Sequence, residues 1–385
     1  MTARRSTPTA LALTLALALS AVLLLAAAPA PARAAPKAET VAHGLVNPWS
    51  LAFLPDGRML VTERPGRLRV VAADGRLSAP VAGLPPVVAG GQGGLLDVVL
   101  DPDWRQNQRV WWSYVEADAA DGSRNGTALA RGRLDPDSQP PRLSEVQVVY
   151  RQQPKLGGAL HYGGRIVFDR QGRLFLTLGE RFSAKDQAPK LDNALGKVVR
   201  LDTEGRAPAD NPLTGRSGAR PEIWSWGHRN PQGAALHPRT GELWTTEHGP
   251  QGGDELNLTR GGRFFGWPEV TWGRNYVTGT RIGEGGERAD VEPPLLWWGP
   301  TSIAPSGMAF LSSERYPGWQ GSLFIGALRA QALVRITLDE RQRPVAQERL
   351  LQDLGERIRD VRQGPDGWLY LLTDSPDGRI LRLRP

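Results

Sequence analysis

The chain has no cysteine among its 385 residues. That excludes disulfide cross-links, thiolate nucleophiles and cysteine-based zinc sites together. Helical periodicity is nearly absent, and after residue 28 no apolar run is long enough to span a bilayer. Clustered basic charge is missing as well. The net charge is +7, but arginine is scattered along the chain instead of gathered on one face, which argues against nucleic acid and for a small anionic ligand.

The N-terminus is set apart from the rest. A basic MTARR, an apolar run from Leu11 to Ala28 and the small-residue pattern Ala32-Arg33-Ala34 together read as a secretory signal peptide over residues 1–34. A retained membrane anchor is the alternative, disfavoured by the alanine content, the trailing prolines and the cleavage pattern. Without Arg4, Arg5 and Arg33, the 47 basic residues become 44 against 40 acidic ones, a surplus of four. The mature chain is expected to be soluble, periplasmic or secreted, and held together by its core alone.

Residues 38–385 carry one pattern written six times. An apolar strand, a turn such as Pro-Asp-Gly, and a second apolar strand ending in Thr or an acid recur at 49–63, 95–116, 164–180, 233–247, 306–327 and 359–374. A lone hairpin would leave an apolar face in water, so radial stacking of six units is the economical solution. The expected fold is all-β, a six-bladed β-propeller, with a large β-sandwich as the rival. Loops from every blade then converge on one mouth of a central channel, and the insertions 117–160 and 257–300 are expected to cover it.

Four constellations carry chemistry. His161, in LHYGGR, precedes the third repeat and is aimed by the ring at the mouth, whereas His237, in HPRTG, reads as a solvated turn residue. Arg229 beside Asn230, Arg329, Arg357 and Arg359 lie next to strands of the later repeats. Strand alternation puts Arg357 and Arg359 on one face, where they repel unless an anion lies between them. Guanidinium forks suit planar acids. In GGQGGLLD (90–97), four glycines around Gln92 let backbone approach a flat ligand, although the stretch matches neither phosphate-binding spacing and a plain turn is the simpler reading. In EHGPQGGDELN (247–257), the carbonyls of Gly249 and Pro250 with side-chain oxygens of Asp254, Glu255 and Asn257 make either an irregular calcium site or a charged surface loop.

Taken in order, GGQGGLLD, HYGGRIVFD, LDNALGKVVRLD, WSWGHRNPQG, EHGPQGGDELN and ERIRDV resemble the soluble quinoprotein aldose and glucose/sorbosone dehydrogenases from about Val41 to the C-terminus. The likeness leans toward the periplasmic aldose branch. It implies a six-bladed propeller that binds pyrroloquinoline quinone (PQQ) and Ca2+, oxidises aldose sugars at the C1 hydroxyl to the lactone and hands electrons to an external acceptor, a quinone or small redox protein. By the same resemblance His161 is the general base. Gln92, Arg229, Asn230, Tyr276, Arg329, Arg357 and Arg359 bind the cofactor, and the carbonyls of Gly249 and Pro250 hold calcium against it. Glu255 and the Phe265 carbonyl hold a second, structural calcium. A monomer is expected.

Three positions depart from the family pattern. Leu160 stands where an acid precedes the histidine, Glu180-Arg181 replaces Asp-Arg, and Ala194 stands where a histidine is common. A calcium-dependent propeller lactonase needs no arginine cluster, and a non-catalytic ligand-binding propeller needs no histidine at the mouth. Those two readings are the rivals.

Overall fold

A computed structural model describes residues 36–385. The signal peptide expected at 1–34 lies outside them. The architecture is the six-bladed propeller that the repeats predict.

Six inner strands line the channel: Pro48–Phe53, Leu95–Leu100, Gly163–Phe168, Pro231–Leu236, Pro305–Phe310 and Ile358–Gln363. Each packs on the inner strand of the next blade, and the sixth packs on the first, so the ring closes. The second strands (Met59–Glu63, Leu174–Leu178, Leu243–Glu247, Leu323–Ala327 and Leu369–Thr373) are buried at every position. Neighbouring blades cover both of their faces, which is why MLVTE, LFLTL and LYLLT read as unbroken apolar runs without alternation.

Closure has a feature that local pattern does not disclose. The sixth blade takes its outer strand, Lys37–Leu45, from the start of the domain, paired antiparallel with Gly378–Arg384 at the end. Joining the two ends this way removes the free edge of an open ring.

Hydroxyls on the inner and second strands bridge the blades. Thr62 donates to Leu96 O at 2.6 Å, Ser113 to Gly164 O at 2.5 Å, Thr177 to Pro231 O at 2.9 Å, Thr246 to Ser306 O at 3.2 Å, and Ser306 to Ile358 O at 2.6 Å. These bonds staple five blade junctions, each worth about 1 kcal/mol. At the sixth junction Leu51 N donates to Asp360 at 3.1 Å.

Below the mouth a buried ion network spans the channel. Arg165 sits 3.1 Å from Asp97 and 3.0 Å from Asp360, and Arg362 sits 2.9 Å from each. The Arg165 guanidinium also lies 4.1 Å above the Trp49 ring. Gly307 is required here, since a Cβ would fall 1.9 Å from an Asp360 oxygen.

Two expectations need correcting. Much of 117–160 is not a mouth loop but the outer strands of blade 2, Asn125–Asp135 and Arg142–Arg151. The 257–300 segment gives up Arg263–Phe264 and Leu296–Trp298 to blades 3 and 4, leaving the stretch between them as the long loop. His237 is 3 % exposed, edge-on to Phe310 at 4.9 Å and bonded through Nε2 to Gln342. The turn is exposed, but the ring folds back into the apolar junction between blades 4 and 5.

Candidate active site

Every inner strand starts at the same end of the ring, and a register shift follows its first residues in all six blades. The acid that closes the preceding hairpin strand falls at this end too. Glu180, Glu247 and Asp374 serve there as acceptors for mouth residues, while Glu63 accepts from Val46 N, Arg67 and Arg69 within blade 1.

His161 is held by one of them. Its Nδ1 lies 3.0 Å from Oε1 of Glu180, with both side chains almost wholly buried. A carboxylate accepts, so Nδ1 carries the proton and Nε2 keeps the lone pair. Burial holds the His161 pKa below the ordinary value; Glu180 opposes that, and the charges of Arg229 and Arg181 add to it. The imidazole is thus neutral at pH 7 with a free basic nitrogen. Its backbone is in the left-handed region, φ 53°, and its amide donates to Gln92 Oε1 at 3.0 Å. Gln92 therefore braces His161, and the GGQGG segment is more than a plain turn.

Glu180, which the chain uses in place of an acid at position 160, is the orienting group that the sequence does not name. Arg181 beside it is used up structurally, donating to the carbonyls of Leu160, Asn125 and Gly158. Phe182 follows, half exposed, its ring edge-on to His161 at 5.2 Å. Ala194 is buried in the blade 3 core cluster with Ile166 and Leu176, and its carbonyl accepts from the same Gln152 Nε2 that serves Gly179 O beside Glu180.

Arg229 ties the next blade to this histidine. Its carbonyl accepts from Glu180 N at 3.0 Å, its Nη1 donates to Gly249 O at 2.7 Å, and its Nη2 donates to Tyr276 Oη at 3.2 Å. Asn230 Oδ1 accepts from Gly163 N at 3.1 Å, while its Nδ2 is buried without a partner. His248, flanking Gly249, donates through Nε2 to Pro305 O at 2.7 Å, and burial followed by Arg229 holds its pKa far below the ordinary value.

The sixth blade brings Arg357 and Arg359, with a correction. An anion does lie between them, but it belongs to the protein: Asp374 Oδ2 is 3.1 Å from Arg357 and 2.8 Å from Arg359. Burial alone would raise the Asp374 pKa, but Arg359, Arg64 and Arg357 hold it down to about 2. Arg359 also donates to Gln232 Oε1 at 2.8 Å, and its Nε is buried unpaired. Arg357 reaches Leu328 O at 3.3 Å, next to Arg329, which is exposed and makes no side-chain bond among the described residues.

In the 247–257 segment the carboxylates divide their duties. Asp254, offered by the sequence as a cation ligand, is spent on the loop itself, accepting from Gly249 N, Ser302 Oγ, Ile303 N and Ala304 N. Glu247 accepts from His228 Nδ1 at 2.8 Å and Arg229 N at 2.6 Å. Glu255 is different. Burial and then the charge of Glu247 push its pKa well up, and Asn257 Oδ1 nearby is buried with no partner. Phe265, stacked on His228 at 4.6 Å, shares a cavity with Glu255. No group of three or more His, Cys, Asp or Glu side chains spaced for a metal occurs among the described residues. A cation here therefore needs carbonyl and amide oxygens as well. Pro250 O accepts no hydrogen bond among the described residues, whereas Gly249 O already receives Arg229.

Comparison with known proteins agrees with this geometry. The family model described as Glucose / Sorbosone dehydrogenase matches residues 45–382. The chain is 47 % identical over 355 residues to the aldose sugar dehydrogenase YliI of Escherichia coli K12, covering 91 % of this chain and 94 % of that one. A crystal structure of the soluble aldose sugar dehydrogenase of Escherichia coli in its apo-form superposes with a TM-score of 0.86 at 47 % identity, covering 91 % and 99 % of the two chains. The PQQ-bound form of the aldose sugar dehydrogenase of Streptomyces coelicolor gives 0.75 at 29 % identity, covering 92 % and 99 %.

Proposed function

The chain belongs to the glucose/sorbosone dehydrogenase family, and from that premise we propose that it oxidises aldose sugars at the C1 hydroxyl to the lactone, using PQQ and Ca2+ and an external electron acceptor. The observation that carries the reading is the buried His161–Glu180 pair at a mouth lined with guanidiniums. When bound, the quinone supplies the two-electron acceptor and calcium the Lewis acid that polarises it.

The chain's own residues supply the rest. His161 Nε2 takes the proton of the sugar hydroxyl, and Glu180 stabilises the imidazolium that forms. Arg229, Arg357 and Arg359 fit a planar polycarboxylate, because Asp374 neutralises only one of the positive charges around it and the buried Nε of Arg229 and of Arg359 lack acceptors. Asn230 Nδ2 offers a further free donor, and Gln92, Tyr276 and Arg329 complete the rim. Pro250 and Gly249 would hold one cation through their carbonyls; Glu255 with Phe265 O would hold a second, next to the orphaned Asn257 Oδ1. Export through the 1–34 signal to the periplasm or beyond, and a monomeric state, complete the proposal.

The test is reconstitution of metal-stripped protein. Quinone and calcium together should give dye reduction across a panel of aldoses, with lactone seen by NMR. Lactone hydrolysis without any dye reduction would favour the propeller lactonase instead.

A further inference from the structure

We infer that Arg64 is an additional anion-binding residue of the mouth, paired with a carboxylate of the bound cofactor, a role that rests on the quinone reading above.

Arg64 follows the acid that closes the first repeat, as Arg181 follows the acid of the third. The two Glu-Arg pairs have opposite fates. Arg181 donates to three carbonyls and to Asn125 Oδ1, so its charge is fully engaged by the fold. Arg64 is half-buried, and its guanidinium has neither an ion pair nor a hydrogen bond among the described residues. Its backbone is nevertheless fixed at both ends. Arg64 N donates to Asn47 O at 3.0 Å and Arg64 O accepts from Leu95 N at 3.1 Å.

The glycine-rich segment makes room for it. Gly94 has φ 147°, and a Cβ there would lie 1.9 Å from Arg64 O and 2.7 Å from Arg64 Cγ. Part of GGQGGLLD is thus explained as clearance for an arginine, alongside the bracing of His161 by Gln92. The charge it adds falls in the right place. Arg64 N donates to Asn47 O at 3.0 Å and Asn47 N to Ser375 O at 2.8 Å, which sets Arg64 across from the Asp374–Ser375 segment. Arg357 and Arg359 are already on Asp374. The field of Arg64 on Arg359 and Asp374 then leaves three guanidiniums to one carboxylate, an excess of two positive charges in a partly buried site. Such an excess is costly unless anionic ligand groups arrive. A planar acid with several carboxylates satisfies it, and a neutral sugar does not.

The experiment is quinone binding to calcium-loaded apoprotein, followed by quenching of intrinsic tryptophan fluorescence with no sugar present. Arg64→Gln should raise the Kd for PQQ at least tenfold, and Arg64→Lys should recover part of the loss. The PQQ trimethyl ester should bind wild type and Arg64→Gln with equal Kd, because the contact is with charge. Because the side chain bonds to nothing among the described residues and its charge is in excess there, apo Arg64→Gln should melt at or above the wild-type temperature and apo Arg64→Lys with wild type. If wild type binds PQQ and Arg64→Gln binds it within twofold as well, the Arg64 inference alone is overturned. If wild type does not bind PQQ, the cofactor reading fails and takes this one with it.

Discussion

Glu180 Oε1 lies 3.0 Å from Nδ1 of His161, both inside the protein, and this contact makes a left-handed loop histidine into a base with a fixed tautomer. The acid comes from the end of the second strand of blade 3, nineteen residues onward. It does the orienting that Leu160 cannot.

Glu180→Gln should therefore slow turnover by roughly tenfold to a hundredfold while leaving the fold intact. Burial already sets the His161 pKa below 6.5, and Glu180 is the group pulling it upward. A base works deprotonated, so wild-type kcat/KM should hold at neutral pH and fall only as pH drops below 6.5. In the variant that acidic limb should move lower still. A pH–rate profile checks both, and an unmoved limb with full activity would remove Glu180 from the mechanism.

Asp374→Asn should destabilise the protein by roughly 3–5 kcal/mol, since it strips the partner from buried Arg359. Asp374 is lowered in the fold to about 2 from 3.8. Its stabilisation is thus fully present above pH 3.8 and is lost as pH falls toward 2. Urea unfolding between pH 7 and 2 should show wild type converging on the variant over that window. Parallel curves would mean that the ion pairs contribute nothing.

Glu255→Gln separates metal binding from packing. Two buried carboxylates, Glu247 and Glu255, oppose each other, so in chelator the variant should melt at or above the wild-type temperature. On adding calcium, wild type should gain stability and the variant should gain much less. An equal calcium response in both would take Glu255 out of the metal site.

Arg165→Met tests the channel network. It leaves Asp97 and Asp360, deep in the ring, with Arg362 as their only cationic partner among the described residues. A loss of roughly 3–5 kcal/mol in denaturant unfolding is expected. A change below 1 kcal/mol would show that the network is electrostatically idle.

Much of this was legible in the sequence for physical reasons. Second strands covered on both sides must be apolar throughout, so MLVTE and LYLLT announce their layer, and six such hairpins announce a ring. The terminal Thr or acid of the repeat was visible too, although its two tasks, stapling blades and organising the mouth, appear only in three dimensions. What stayed hidden depends on contacts distant in sequence. Pairing of Lys37 with Arg384 is a matter of ring closure, not of local pattern. Asp374 neutralising Arg357 and Arg359 required the hairpin register. His237 turned inward because Phe310 and Gln342 of the next blade receive it, and Asp254 was spent on amides of residues 303 and 304, which no spacing rule connects to it. Arg64 escaped notice because its lack of partners is a property of the fold alone.

The most direct measurement is an anaerobic single turnover. Protein loaded with quinone and calcium is mixed with one equivalent of glucose, with no external acceptor, while the absorbance of the bound quinone is followed. The bound quinone should convert to the reduced spectrum in wild type and stay oxidised in His161→Ala, which should still hold it. An unchanged wild-type spectrum, or equally fast reduction in His161→Ala, would contradict it.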